Sequence, residues 1–180
     1  GFVELSIRSA VEGKLGALQI HRAGYLDNLD GAPLKLSMPY TPEMIERIKS
    51  VRGVKAVTGR IQFNGLINNG QSQTMFVGRG IDLATEYAAM PRSGNDLTPG
   101  GRKLQLSDTR AALVGEELAQ SFNAVTTQEK EQLKPVTGAA APSDLLTINS
   151  SSPEGRANSM AVKVVGKFNS GMPFENKRVV

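Results

Sequence analysis

The part of this chain that most restricts its fold is a strong helix start followed by two alternating segments. Thr41 and Pro42 favour a helix start, because threonine caps the first free backbone N–H groups and proline fits the first helical position. Residues 54–67 and 74–80 alternate between apolar and polar side chains, as half-buried strands do. The Asn-Asn-Gly sequence at 68–70 favours a turn between them. A helix followed by an antiparallel hairpin is typical of an α+β fold.

A second hairpin is predicted further along the chain. Residues 144–149 and 160–168 have strand patterns, and the polar stretch 150–159, which contains Pro153 and Gly155, is expected to form the tip between them. The other predicted elements are helices at 2–15, 83–90 and 115–122, and strands at 17–25 and 111–114. Leu118 and Phe122 are expected to face the core. The predicted fold class is therefore α+β.

Composition argues against several kinds of active site. The 180 residues are 39% hydrophobic and 21% charged, which is ordinary for a chain that forms a core. The absence of cysteine excludes disulfides, thiolate zinc sites and a cysteine nucleophile, and the single histidine, His21, excludes multi-histidine metal centres. Glu116 and Glu117 are adjacent on a predicted helix and point to different sides. We therefore assign no catalytic, cofactor-binding or metal-binding residue and expect a non-catalytic domain.

Two segments could be interpreted as phosphate-binding, and for each we prefer a purely structural interpretation. Residues 78–82 follow a predicted strand, but Leu83 stands where a dinucleotide-binding fingerprint needs glycine. The formal net charge is +4. A basic cluster is formed by Arg47, Lys49, Arg52, Lys55 and Arg60. Glu43 and Glu46 lie in the same stretch and the only aromatic residue within reach is Phe63, so a solvated face is preferred over nucleic-acid binding.

Five short segments carry a resemblance to a known family. They are Gly-Lys-Leu-Gly-Ala-Leu-Gln-Ile at 13–20, Arg-Gly-Val-Lys-Ala-Val at 52–57, Val-Gly-Arg-Gly-Ile-Asp at 77–82, Val-Gly-Glu-Glu-Leu-Ala at 114–119 and Val-Val-Gly-Lys-Phe at 164–168. In this order they resemble the extracytoplasmic, or periplasmic core, domain of FtsX-like ABC transporter permeases of the lipoprotein-releasing and macrolide-exporting type. The glycine-isoleucine-aspartate strand end at 80–82 is one of the family's features.

The resemblance implies an architecture and a function. It implies a stalk helix at 1–16 that continues a membrane helix, the first part of a membrane-proximal α/β subdomain at 17–90, and an inserted β-rich subdomain at 91–180. A further α/β segment is implied after Val180. The implied function is to couple ATP-driven motion to the export or release of a lipoprotein, peptide or drug, in the periplasmic domain of an inner-membrane protein. The implied partners are a cytoplasmic ATPase subunit, a second permease copy or homologue, and a periplasmic carrier, adaptor or lipoprotein cargo.

The resemblance also implies that the tip of the second hairpin docks a periplasmic partner. The residues concerned are Ser151, Ser152, Pro153, Glu154, Gly155 and Arg156. A plain exposed loop is the alternative for these residues. For the whole chain, the alternative is a free-standing periplasmic or secreted binding module.

Overall fold

The computed structural model describes residues 2–28, 33–134 and 141–180 and has the predicted α+β class. Its α-helices are α1 (Phe2–Ala10), α2 (Pro42–Lys49), α3 (Leu83–Ala89), α4 (Glu116–Ser121), α5 (Thr127–Gln132) and α6 (Pro173–Arg178). Its strands are β1 (Arg60–Asn68), β2 (Gln73–Ile81), β3 (Ala111–Gly115), β4 (Leu145–Ser151) and β5 (Ala157–Phe168). A π-helical turn, Val11–Leu15, continues α1, and short 3-10 turns lie at Leu26–Asn28 and Pro33–Leu36.

The strands form one mixed sheet in the order β2-β1-β4-β5-β3. Strand β4 is antiparallel to both β1 and β5, whereas β3 runs parallel to β5. The predicted second hairpin is therefore confirmed as β4–β5. Its strands are longer than predicted, because Ser151 pairs with Ala157. The turn is thus only residues 152–156, and Ser151 ends a strand instead of lying in the loop.

The last two residues of the chain pair with both outer strands of the sheet. The backbone N–H of Val180 donates to the carbonyl oxygen of Val77 over 3.0 Å, and the N–H of Arg79 donates to that of Val180 over 2.8 Å. The N–H of Gly115, at the end of β3, donates to the carbonyl oxygen of Val179 over 3.0 Å. These bonds occupy edge groups of β2 and β3 that would otherwise be open to another chain.

The chain forms two compact units, and the division passes through the β1–β2 hairpin. Unit 1 comprises Gly1–Gln62 and Gly80–Asn95, and unit 2 comprises Phe63–Arg79 and Asp96–Val180. The predicted division at residue 90 differs from this one mainly in the hairpin residues 63–79, which group with unit 2. The roles implied for the two subdomains, membrane-proximal and inserted, stay predictions.

Unit 2 is built on an apolar core beneath the sheet. Leu118 and Phe122 point into it from α4 and its C-terminal end, as predicted, and the rings of Phe63 and Phe76 meet edge to face at 5.7 Å. The buried cluster contains Ile67, Phe76, Ala112, Val114, Leu118, Ala119, Phe122, Ala124, Leu146, Ile148, Val162 and Val164. Burial of this apolar surface is the main stabilising contribution to the unit.

The N-terminal part of unit 1 confirms one prediction and corrects another. The helix predicted at 2–15 is present as α1 and the π-helical turn, and it ends at Gly16. The strand predicted at 17–25 is wrong, because these residues form no strand. Leu18 is 88% exposed and Ile20 is 58% exposed, so the alternating pattern has no apolar layer to pack against.

Three further elements differ from the predictions made from the sequence. The strand predicted to start at residue 54 starts at Arg60. Helix α5 was not predicted, although Thr126 and Glu129 form a capping box at its start, with reciprocal side-chain to backbone bonds. Helix α6 was also missed; Pro173 lies in its first turn, a position that proline favours.

Candidate functional site

The tip of the β4–β5 hairpin is a turn organised by its own hydrogen bonds. The N–H of Ser152 donates to the carbonyl oxygen of Arg156 over 2.8 Å, and the N–H of Gly155 donates to that of Ser152 over 2.9 Å. Gly155 has a φ of +83°, which side-chain-bearing residues rarely adopt. The Ser152 hydroxyl donates to Oε2 of Glu154 over 2.7 Å, and this bond lowers the pKa of that carboxyl. The turn therefore has a defined shape.

The structure brings the six predicted docking residues together at this end of the hairpin. Ser151 ends β4, and the other five form the turn that leads into β5. All are exposed except Ser152, which is half-buried. Their side chains offer one carboxylate, one guanidinium and hydroxyl groups but no large apolar anchor of the kind that dominates most interfaces. Their docking role stays a prediction.

A buried carboxylate organises unit 1. The side chain of Glu86 is 0% exposed. Its Oε1 accepts from a terminal guanidinium nitrogen of Arg60 and from the Ser93 hydroxyl, and its Oε2 accepts from Arg60 Nε over 3.2 Å and from the Thr58 hydroxyl over 3.4 Å. Arg60 also donates to the carbonyl oxygen of Lys14 in the π-helical turn. One ion pair thus joins α3, the start of β1 and the end of the N-terminal helix.

This pairing corrects the interpretation of Arg60. The sequence places Arg60 in a solvated basic cluster, but the structure turns its guanidinium onto a buried acid. A second contact holds the same π-helical turn, because the N–H of Arg92 donates to the carbonyl oxygen of Glu12 over 3.0 Å and Arg92 Nε lies 2.9 Å from Glu12 Oε2. No periodicity in the sequence signals either pair.

Two ion pairs of unit 2 involve its loops and helix α5. Arg102 forms a two-pronged contact with Asp108, with two N–H···O bonds of 2.7 Å, and these bonds hold the pKa of Asp108 below its usual value. Burial alone would raise the pKa of Asp144, but the hydrogen bond and charge of Lys130 outweigh it and the pKa is lowered. Each carboxylate has a basic partner at hand, as expected of a structural role.

His21 and the glycine-rich strand end both have structural contacts. The His21 ring stacks on Tyr25 with centroids 4.6 Å apart and contacts the side-chain amide of Gln19 at 3.0 Å, and it lies on no strand, contrary to the prediction. Asp82, at the end of β2, caps α3 by accepting from the N–H of Ala84 over 3.1 Å. The glycine-rich segment before it is therefore a strand end turning into a helix, as the structural reading predicts.

The described residues offer no clustered metal ligands and no membrane-spanning helix. Within residues 2–28, 33–134 and 141–180, no group of three or more histidine, aspartate or glutamate side chains could hold a metal ion. In the same residues, no helix has both the length and the apolar character needed to cross a bilayer.

Comparison with known proteins gives likenesses among solved structures. No protein-family model and no curated protein matches the chain. The chain is similar to the extracellular domain of the noncanonic ABC-type transporter YknZ from Gram-positive bacteria, with a TM-score of 0.45 and 19% sequence identity. The similarity covers 74% of this chain and 59% of that structure. The chain therefore spans less than two thirds of the length of that domain.

Proposed function

We propose that this chain is the extracytoplasmic domain of an FtsX-like ABC transporter permease of the lipoprotein-releasing or macrolide-exporting type. In this role it carries out no chemistry itself. It couples motion driven by a cytoplasmic ATPase subunit to the export or release of a lipoprotein, peptide or drug on the periplasmic side of the inner membrane. A second permease copy or homologue, and a periplasmic carrier, adaptor or lipoprotein cargo, are its further partners.

The observation that carries this proposal is where three of the five family-like segments lie in the fold. Residues 77–82 end β2 and lead into α3, residues 114–119 run from β3 into α4, and residues 164–168 end β5. Val114 and Val164 from two of these segments lie in one apolar cluster. These three segments thus lie at the ends of strands, and two of them lead directly into helices.

The N-terminal helix suits the coupling role in this proposal. Its π-helical end is held by Arg60, through the carbonyl oxygen of Lys14, and by Arg92, through Glu12. Arg60 in turn binds Glu86 on α3. A force applied along the helix would therefore reach the rest of unit 1 through charged, directional contacts.

The test of location uses the lack of cysteine in this chain. Ser152→Cys is introduced into the intact parent protein, in a background free of other cysteines, and intact cells are treated with a membrane-impermeant maleimide. We expect labelling from outside the inner membrane. The matched control is Val164→Cys, whose position is fully buried and should react only after denaturation. Labelling of Ser152→Cys only after lysis of the inner membrane would contradict the proposal.

The same labelled protein separates the permease from a free-standing binding module. A permease domain stays with the membrane fraction and co-purifies with an ATP-binding subunit. A periplasmic or secreted module is also labelled from outside, but it leaves with the soluble fraction and brings no ATP-binding subunit with it.

A further inference from the structure

Half of strand β5 has an open edge. The strand has 12 residues, Ala157–Phe168, but it pairs with β3 only from Lys163 onward. Residues 157–162 pair with β4 on one side and with no described strand on the other. We call residues 157–162 the open edge. It contrasts with β2 and the end of β3, whose outer groups bond to Val179 and Val180.

The direction of the free backbone groups follows from one hydrogen bond. The N–H of Lys163 donates to the carbonyl oxygen of Arg110, just before β3, over 2.8 Å, so the peptide groups of Lys163 face the β3 side. Because these directions alternate along a strand, the N–H and C=O groups of Ala157, Ser159 and Ala161 face the same side. All three residues are exposed, and these groups meet no backbone partner among the described residues.

This edge lacks the devices that usually block strand addition. Natural edge strands carry lysine, proline or a bulge, or are very short. The sequence Ala-Asn-Ser-Met-Ala-Val at 157–162 has no charge and no proline. Its register with β4 is continuous from Leu145 opposite Lys163 to Ser151 opposite Ala157. The edge is therefore able to accept an added strand along most of its length.

The charges at its two ends select the occupant. Arg156 precedes the open edge and Lys163 follows it, and both are exposed. If a second copy of the chain paired antiparallel with the same six residues, Arg156 of each copy would lie opposite Lys163 of the other. Two such like-charge pairs disfavour a self-paired dimer. Arg110 adds a third positive charge beside Lys163. The acidic residue nearest to Arg156 in sequence is Glu154, which is hydrogen-bonded to Ser152 in the turn.

We propose that the open edge of β5 binds an extended segment of a partner protein as an added strand, with acidic residues of that segment beside Arg156 and Lys163 and small or apolar residues between them. The backbone groups of Ala157, Ser159 and Ala161 provide the affinity, and the two basic residues fix the register. This surface does not depend on the assignment to a transporter.

The probe is a capped synthetic peptide of alternating valine and serine with a glutamate at each end, about eight residues long, so that its two glutamates can lie opposite Arg156 and Lys163. It is titrated into the ¹⁵N-labelled chain and followed by NMR. We expect hydrogen-bond shifts at the amides of Ala157, Ser159 and Ala161, and little change at Asn158 and Met160, whose amides face β4. The same peptide with lysine at both ends should bind about tenfold more weakly, because two attractive contacts become repulsive.

Two variants test the backbone and the charges separately. Ser159→Pro removes an outward N–H that the β4 ladder does not use, so the fold should survive while peptide binding is lost. Ser159→Thr keeps the N–H and should bind like the unaltered chain. If Ser159→Pro proves unfolded by its thermal melt, the double variant Arg156→Glu with Lys163→Glu decides, because it should reverse the preference between the two peptides.

Three outcomes would overturn the proposal. The first is that the outward amides do not shift at millimolar peptide. The second is equal binding of the glutamate and lysine peptides. The third is a shift of these amides with protein concentration alone, lost in Ser159→Pro, because a second copy of the chain would then be the occupant.

Discussion

Each of the two units of this chain is stabilised internally by a different kind of interaction. Unit 2 buries an apolar cluster under a five-stranded sheet. In unit 1, the side chains that are buried among the described residues are Met90 and the charged Glu86. Large apolar side chains of unit 1, such as Ile7, Leu18 and Ile20, are exposed instead.

This difference predicts which of the two units is the more rigid. An apolar core is stabilised by many non-directional contacts that act together. The arrangement around Glu86 depends on a few directional bonds to Arg60, Ser93 and Thr58, so losing one partner leaves a buried charge without compensation. We therefore expect unit 1 to open locally at a lower free energy than unit 2.

The largest expected effect is on the core of unit 2. Phe76 is 2% exposed and packs edge to face on Phe63. Phe76→Ala should lower the free energy of unfolding of unit 2 by about 4 kcal/mol, through lost burial and a cavity. The matched control is Met75→Ala on the same strand of unit 2, where the side chain is 64% exposed and the expected loss is below about 1 kcal/mol.

Denaturant unfolding measures the change in free energy, and amide exchange in β4 and β5 shows that the change occurs in unit 2. Equal losses for Phe76→Ala and Met75→Ala would show that unit 2 does not depend on its apolar core in the way described.

The second effect is on unit 1. Arg60→Ala leaves the carboxylate of Glu86 buried without its counter-ion, and we expect local opening around α3 to become easier by about 3 kcal/mol. The double variant Arg60→Met with Glu86→Leu removes both charges and should recover most of this loss, because an apolar pair of similar size needs no counter-ion.

Amide exchange in α3 and near Lys14 measures this change, with β4 and β5 as the internal reference. Unchanged exchange in α3 of Arg60→Ala would contradict the central role of the ion pair. Equal acceleration in β4 would show that the two units open together.

How much of the fold the sequence predicts depends on whether the signal is local. The start of α2 is fixed by Thr41, whose hydroxyl accepts from the N–H of Met44, and by Pro42, so it could be read directly. The β4–β5 hairpin was found because its strands are long and apolar. The strand predicted at 17–25 failed because alternation indicates a strand only where one face has a layer to cover.

The contacts that shape the candidate sites were less predictable. The capping box of α5, Thr126 with Glu129, is visible in the sequence and was overlooked. The pairing of Val179 and Val180 with two strands, and that of Arg60 with Glu86, join residues far apart in the chain. No spacing rule links such residues, so their contacts emerge only from the folded arrangement.

The third effect distinguishes a surface ion pair of unit 2 from the buried one of unit 1. The hydrogen bonds from Arg102 hold the pKa of Asp108 below its usual value, although partial burial opposes them. A lowered pKa stabilises the folded state above the unfolded pKa, near 4, and this contribution is lost as the pH falls through the folded value. Arg102→Gln should therefore cost about 1 kcal/mol from pH 7 down to pH 5, and the difference should shrink below about pH 4.

Denaturant unfolding of the unaltered chain and of Arg102→Gln at each pH measures this difference. Asp108→Asn serves as the control, because it cannot ionise and should show no such pH dependence relative to the double variant. A difference that stays constant down to pH 2 would mean that Arg102 acts through packing alone.

The smallest expected effect on stability is at the tip of the β4–β5 hairpin, which is polar and mostly exposed, unlike the apolar core of unit 2. Because Ser151 pairs with Ala157, residues 152–156 can be replaced by Asn-Gly, which forms a two-residue hairpin turn. The unfolding free energy should change by less than about 0.5 kcal/mol, since the turn bonds only to itself.

The β1–β2 hairpin supplies the comparison. There the Asn69 amide donates to the carbonyl oxygen of Phe122 over 3.1 Å, and Asn69→Ala should cost about 1 kcal/mol. In cells, the shortened tip should reduce transport by the parent protein if residues 151–156 dock a partner. Transport at the parent rate, with the fold intact, would leave the tip as a connection between two strands and would limit docking to other surfaces of unit 2.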